Sequence, residues 1–313
     1  IADPINVRNR YIGIDLDPGS ASVHDIEMGE AIASYFGAGF QRTFMRPGYA
    51  PRSRFLAGDD VFLDTMNEIL PLQRQAMMMT IVNPPADSIL NYHQMIKAKR
   101  VITDGELSGE IARFGAMFAH IAARLSKHIG YFEILNEPNL WTVAGEKGMT
   151  PERYARVVKE VAPYVRAAAP NVKLAANVNG IDHAYAERFF AAGGGAFIDV
   201  FTVHPYRGMP ENPPVYEDFK RLRAIIDKYQ SGMPIINSEQ YYGVRNQIYA
   251  HEYARNYYAD DEQDCAGRIV QTLLHGIAAE RAPFCLLGPA SSLFKFSPFD
   301  MPYYYHLFGL LNA

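Results

Sequence analysis

Two short strings carry the side chains best suited to chemistry, Glu133-Ile134-Leu135-Asn136-Glu137-Pro138-Asn139 and Ile235-Ile236-Asn237-Ser238-Glu239-Gln240. Each reads as a buried strand that ends on a carboxylate, and the two lie about a hundred residues apart. A protonated carboxyl beside an ionised one is what cleavage of a glycosidic bond requires: one protonates the leaving oxygen, the other attacks the sugar or activates a water. Pro138 cannot continue a strand ladder and is expected to push Glu137 into an extended conformation at the strand's mouth. Either glutamate alone reads as a solvated loop acid; the pair at two strand ends does not.

The elements around them alternate. Strands are expected at Tyr11–Leu16, Phe40–Met45, Ala76–Val82, Tyr131–Leu135, Val172–Ala176, Ile198–Val203, from Pro234, and at Phe284–Leu287. Helices are expected at Ile26–Tyr35, Val61–Leu72, around Ile111, Phe114, Phe118, Ile121 and Leu125, from Pro151, and at Ala184–Ala192, Tyr216–Tyr229, Ala266–Arg281 and Tyr303–Leu311. The apolar residues of the third helix recur at steps of three and four, one face of a helix. Pro163 predicts a kink or an early stop in the helix that Thr150-Pro151 opens. Short apolar strands separated by helices favour a parallel sheet covered by helices. Eight such units predict an α/β, (β/α)8 TIM barrel, with residues 1–313 as a single catalytic domain. Helix-to-strand links are short, whereas the strand-to-helix links Asn83–Leu107 and Gln240–Asp264 are long. In a barrel the long set emerges on the face that carries active sites. Gly193-Gly194-Gly195 falls in a helix-to-strand link and reads as a turn.

Composition narrows the function classes. The chain has 313 residues, 49% hydrophobic and 20% charged, with a net charge of −4. There is no basic stripe, so nucleic acid is not an expected partner. No run of eighteen apolar residues appears, so no membrane span is expected. The opening Ile1-Ala2-Asp3, without Met or a signal-peptide core, reads as a mature or trimmed form. A secreted or periplasmic location is expected, with the cytoplasm as the alternative. Cys265 and Cys285 read as free thiols, a single bridge being the alternative. No metal-ligand spacing, phosphate-cradling loop or Gly-x-Ser-x-Gly elbow is present, so neither metal nor cofactor is expected. The partner expected is a carbohydrate, and the many tyrosines suit sugar surfaces with apolar C–H faces and a rim of hydroxyls.

Asn136-Glu137-Pro138-Asn139-Leu140 on the fourth strand and Glu239 on the seventh resemble the clan A glycoside hydrolases, and with His204-Pro205-Tyr206 they look most like family 39, family 5 next. The resemblance implies retention of configuration, Glu137 as acid/base and Glu239 as nucleophile. It implies Asn136 on the sugar 2-hydroxyl, Tyr206 donating to the nucleophile, His204 lining the sugar site and Arg42 beside the nucleophile. Trp141 and Tyr241, which follow the two motifs, are further candidates for sugar contact. Each has a bland rival: Arg42 as a rim ion pair, His204 as a buried hydrogen-bonded histidine, Trp141 as loop packing. The chain departs from family 5 in having no Trp on its eighth strand. Family 39 members often carry a β-sandwich accessory domain, and here it is expected to be absent or removed. The reading is a retaining glycosidase acting on a poly- or oligosaccharide. Its alternatives are a transglycosylase on the same site and an inactive carbohydrate-binding barrel. A metal-dependent hydrolase using His204 and Asp15 is disfavoured by the missing ligand set.

Overall fold

The computed structural model describes residues 12–16, 39–45, 61–70, 76–81, 84–85, 87–206, 209–211, 214–240, 243–244, 258–259, 262–280 and 284–288. Eight parallel strands close into a barrel: β1 (Ile12–Leu16), β2 (Phe40–Met45), β3 (Ala76–Ile81), β4 (Ile129–Ile134), β5 (Lys173–Asn179), β6 (Val200–His204), β7 (Ile235–Gln240) and β8 (Phe284–Gly288). Each pairs with its neighbours in the chain, and β8 closes on β1 with Ile14 opposite Leu286. The helices among the described residues are α1 (Val61–Ile69), α2 (Tyr92–Ala98), α3 (Asp104–Leu125), α4 (Pro151–Ala168), α5 (His183–Ala191), α6 (Val215–Tyr229) and α7 (Glu262–Glu280). The expected helices Ile26–Tyr35 and Tyr303–Leu311 lie outside the described residues. No helix among those described is long and apolar enough to cross a membrane.

Local chemistry accounts for the helix ends. Thr103 and Glu106 form a capping box at the start of α3, and Thr150 caps α4 with Pro151 at its first position. Leu107, Ile111, Phe114, Phe118, Ile121 and Leu125 bury one face of α3 in the main core. Gly194 and its neighbours form a short 3-10 turn after Gly193 (φ +84°), on the helix-to-strand side.

One expectation needs correction. Helix α4 does not stop at Pro163 but runs on to Ala168. Pro163 is on the exposed side, where the carbonyl it cannot bond is free to meet water, while Val161, Ala162 and Val165 stay packed. The link after β3 contains α2, capped by Asn91 and ended by Lys99 at φ +54°. Strand β7 continues through its polar residues to Gln240, and Asn237, Ser238, Glu239 and Gln240 are all buried. Polarity there marks the barrel interior.

The interior is layered. Phe40, Met78, Tyr131, Ala175, Val200 and Ile236 pack together as an apolar layer near the N-terminal ends of their strands. Two residues further along β2, β3, β4, β5 and β6 come Arg42, Thr80, Glu133, Asn177 and Thr202, all buried and polar. Asn179 and His204, two residues further still, reach the C-terminal mouth.

Candidate active site

The mouth of the barrel is assembled around a strained turn. Leu135 and Glu137 both have left-handed backbone, at φ +64° and +49°. The expectation that Pro138 would hold Glu137 extended is therefore wrong: Pro138 instead opens a 3-10 turn, Pro138–Leu140. A non-glycine residue in this conformation costs about 1–2 kcal/mol and persists only where its surroundings hold it. Here Asn177 on β5 does so, accepting from the Glu137 backbone N–H at 2.6 Å and donating to the Leu135 carbonyl at 2.6 Å. Tyr154 of α4 donates to the Ile134 carbonyl at 2.6 Å. Asn139 and Asn179 close the turn against β5, Asn139 donating to the Asn179 carbonyl at 3.0 Å and accepting from its N–H at 2.8 Å.

Glu239 is positioned by an irregularity in β7. Phe284 faces Asn237 and Leu286 faces Gln240, so three steps on β7 span two on β8. A bulge of this kind re-aims side chains, and it brings two successive residues, Ser238 and Glu239, into the same polar network. The Glu239 carboxylate accepts from Arg42 (Nη1 to Oε2, 2.6 Å) and from the Tyr206 hydroxyl (Oε1, 2.6 Å). The Glu137 carboxylate accepts from Asn179 Nδ2 at 2.7 Å and lies 2.8 Å from His204 Nδ1, both at Oε1. His204 Nδ1 is also 3.8 Å from Glu239 Oε2. One terminal atom from each of Glu137, His204 and Glu239 lies within 4.8 Å of the other two.

Beneath this pair is a third carboxylate, Glu133, with no exposed surface. Its Oε2 accepts from Arg42 Nε at 3.0 Å, Arg42 Nη2 at 2.5 Å and Thr80 Oγ1 at 2.6 Å. Its Oε1 accepts from Thr202 Oγ1 and, at 3.1 Å, from Ser238 Oγ. Burial pushes the Glu133 carboxyl up, but the charges of Arg42 and His204 and the two threonine hydroxyls outweigh it and hold it below the usual carboxylate range. For Glu137, burial likewise works against ionisation, while a protonated His204, Asn179 and Arg42 work for it.

The site residues expected from the sequence mostly converge. Glu137, Glu239, Arg42, Tyr206 and His204 form one hydrogen-bonded cluster, and Asn136 joins it by accepting from Arg42 Nη2 at 2.8 Å. Arg42 is not a rim residue; it is wholly buried between Glu133 and Glu239. Two are placed differently from expectation. His204 does not line an open sugar site: its ring is fully buried, with Nε2 3.1 Å from Ser238 Oγ. Trp141 is not presented to a ligand either. It is 5% exposed, stacks on Tyr92 of α2 with centroids 5.7 Å apart, and donates from Nε1 to the Asn136 carbonyl at 3.2 Å. An indole that serves as a loop prop in this way supports Asn136 from behind. Tyr241 lies outside the described residues, as does the side chain of Asp15.

Glu133, Thr80, Asn177, Asn179, Thr202 and Ser238 carry the network without having been singled out from sequence. The signal for Glu133 was present: a carboxylate two residues from Tyr131 in an apolar strand, with an arginine at the middle of another strand to match it.

Glu137, His204 and Glu239 are near enough to one another to be weighed as metal ligands. The direct 2.8 Å contact of His204 with Glu137 uses the ring nitrogen that would bind, and Arg42 and Tyr206 already occupy both oxygens of Glu239. The geometry is that of a hydrogen-bonded carboxylate pair.

A closed barrel with two carboxylates meeting at its C-terminal mouth places the chain in a recognisable architectural class. No protein-family model and no curated protein sequence matches it. Solved structures do. A family 39 glycoside hydrolase from Bacteroides cellulosilyticus WH2 superposes on 96% of the chain with a TM-score of 0.62 and 13% identity. A monomeric β-xylosidase from Caulobacter crescentus CB15 covers 100% with a TM-score of 0.66 and 16% identity. A family 30 subfamily 8 xylanase from Clostridium acetobutylicum covers 97% with a TM-score of 0.63 and 12% identity. The chain spans 63%, 69% and 71% of these proteins. In fold it resembles the clan A glycoside hydrolases, as its Asn-Glu-Pro motif suggested; at these identities the likeness is one of fold.

Proposed function

We propose that the protein is a retaining glycoside hydrolase that cleaves β-glycosidic bonds in a poly- or oligosaccharide by double displacement. The observation that carries this reading is the separation of the two carboxylates, with atoms of Glu137 and Glu239 within 4.8 Å. Retaining enzymes hold their carboxyl groups about 5–5.5 Å apart, and inverting enzymes leave a wider gap for a water. Glu239, held at both oxygens by Arg42 and Tyr206, attacks the anomeric carbon. Glu137 gives a proton to the departing oxygen and then takes one from the water that releases the sugar. Asn136, its amide oriented by Arg42, is placed to bind the 2-hydroxyl, a contact that strengthens in the transition state.

The test is a panel of aryl β-glycosides and polysaccharides with product NMR. Glu239→Gln is expected to abolish turnover, and Glu137→Gln to cost about 10²–10⁴-fold with poor leaving groups. The first product should keep the β configuration. Inversion, or full activity in both variants, would overturn the assignment.

A further inference from the structure

Glu133 and Ser238 bear on where the acid/base keeps its proton. Every described hydrogen-bond partner of Glu133 is a donor: Thr202 and Ser238 on one oxygen, Thr80 and Arg42 on the other. A carboxylate so surrounded is ionised and accepts only. The single hydroxyl proton of Ser238 is therefore directed at Glu133, and its lone pair faces His204 Nε2 at 3.1 Å. Nε2 must then carry hydrogen. A neutral imidazole has only one N–H, so Nδ1 is left bare, 2.8 Å from Glu137 Oε1. Two acceptors do not sit at that distance without a proton between them. The opposite tautomer would turn the Ser238 lone pair against the buried Glu133 anion.

The charges facing this pair agree. Among the described residues, around it stand Glu239 of β7, Glu133 of β4 and Arg42 of β2, with the neutral Asn179 of β5 and Tyr206. Within this described set three carboxylates face one guanidinium, and one shared proton reduces the deficit of positive charge.

We infer that Glu133 and Ser238 are positioning residues that fix the tautomer of His204, so that the His204–Glu137 pair retains one proton. The inference rests on the function proposed above. In the first half-reaction that proton passes to the leaving oxygen as the glycosidic C–O bond breaks and the C–O bond to Glu239 forms. Glu137, now a carboxylate beside a bare nitrogen, takes a proton from water in the second half-reaction as the hydroxide joins the anomeric carbon and the C–O bond to Glu239 breaks. The pair ends as it began.

Ser238→Ala removes one hydroxyl and frees His204 to place its proton on Nδ1, donating to an ionised Glu137. The expected result is an alkaline limb of kcat moved down by about one pH unit. With a poor leaving group the loss should be about 10²-fold, and at least ~10-fold smaller with dinitrophenyl, which needs no protonation. Ser238→Thr, which keeps the hydroxyl, should restore the limb. Nitrogen-15 NMR of His204 supplies a readout independent of turnover: Nε2 protonated in the native protein, Nδ1 in Ser238→Ala. A neutral Nδ1–H tautomer in the native protein, or an unmoved pH limb in Ser238→Ala, would overturn the inference and leave hydrolysis by Glu137 and Glu239 standing. A protein with the expected His204 signature but no action on any glycoside would sink the glycosidase reading alone.

Discussion

Arg42 donates to Glu239 at 2.6 Å from a side chain that has no exposed surface. The guanidinium is planar and presents its donors as a rigid fork, so the two donors spent on Glu133 decide where the third points. The buried acid thus aims the arginine, and the arginine aims the carboxylate proposed as nucleophile.

Removing one partner of such a buried pair is expected to be costly. Arg42→Met should destabilise the fold by about 3–5 kcal/mol, because Glu133 is left as an uncompensated buried charge. Arg42→Met/Glu133→Gln should recover at least half of that. Chemical denaturation of the three proteins measures it; a single variant as stable as the parent would contradict the pairing.

The acid limb of stability follows from the same groups. The Glu133 carboxyl is depressed in the folded state. Its contribution is fully present above the unfolded glutamate value of about 4.3, and it is lost as pH falls below this through the folded value. Glu133→Gln should therefore cost more stability at pH 7 than at pH 3. Melting temperatures at both values test this, and a gap that widens on acidification would refute it.

Tyr206→Phe deletes a hydrogen bond to a charged oxygen at 2.6 Å. Such bonds contribute about 1.5–3 kcal/mol. We expect kcat/KM to fall about tenfold to a hundredfold, with a loss of stability no larger than that contribution. An unchanged kcat/KM would show that Arg42 alone orients Glu239.

Asn177→Ala strikes the turn instead of the chemistry. It leaves the Glu137 N–H and the Leu135 carbonyl without their partner, at about 1–3 kcal/mol for each. With two left-handed residues no longer held, both stability and activity should drop. A stable but inactive variant would separate the turn's role from the fold's.

The barrel was legible because its strands and helices differ in period and because strand-to-helix links are long. Glu137 and Glu239 were legible because each closely follows a short apolar run, although β7 itself runs on through Glu239 to Gln240. The sequence misled where a residue's surroundings override its local preference. Pro138 argues for extended backbone at Glu137, yet an asparagine forty positions away holds it left-handed. Trp141 next to the motif suggested a sugar platform, but Tyr92 of α2 claims its face. Glu133 sat in plain view as one polar letter in an apolar strand; only closure of the barrel shows which arginine and hydroxyls meet it.

The layer formed by Phe40, Met78, Tyr131, Ala175, Val200 and Ile236 acts as a stopper under the polar cluster. Among the described residues it offers no polar path toward the N-terminal end of the barrel, so the proposed reaction would have release of the first product and arrival of the attacking water share the C-terminal mouth, and the order of traffic through it becomes part of turnover.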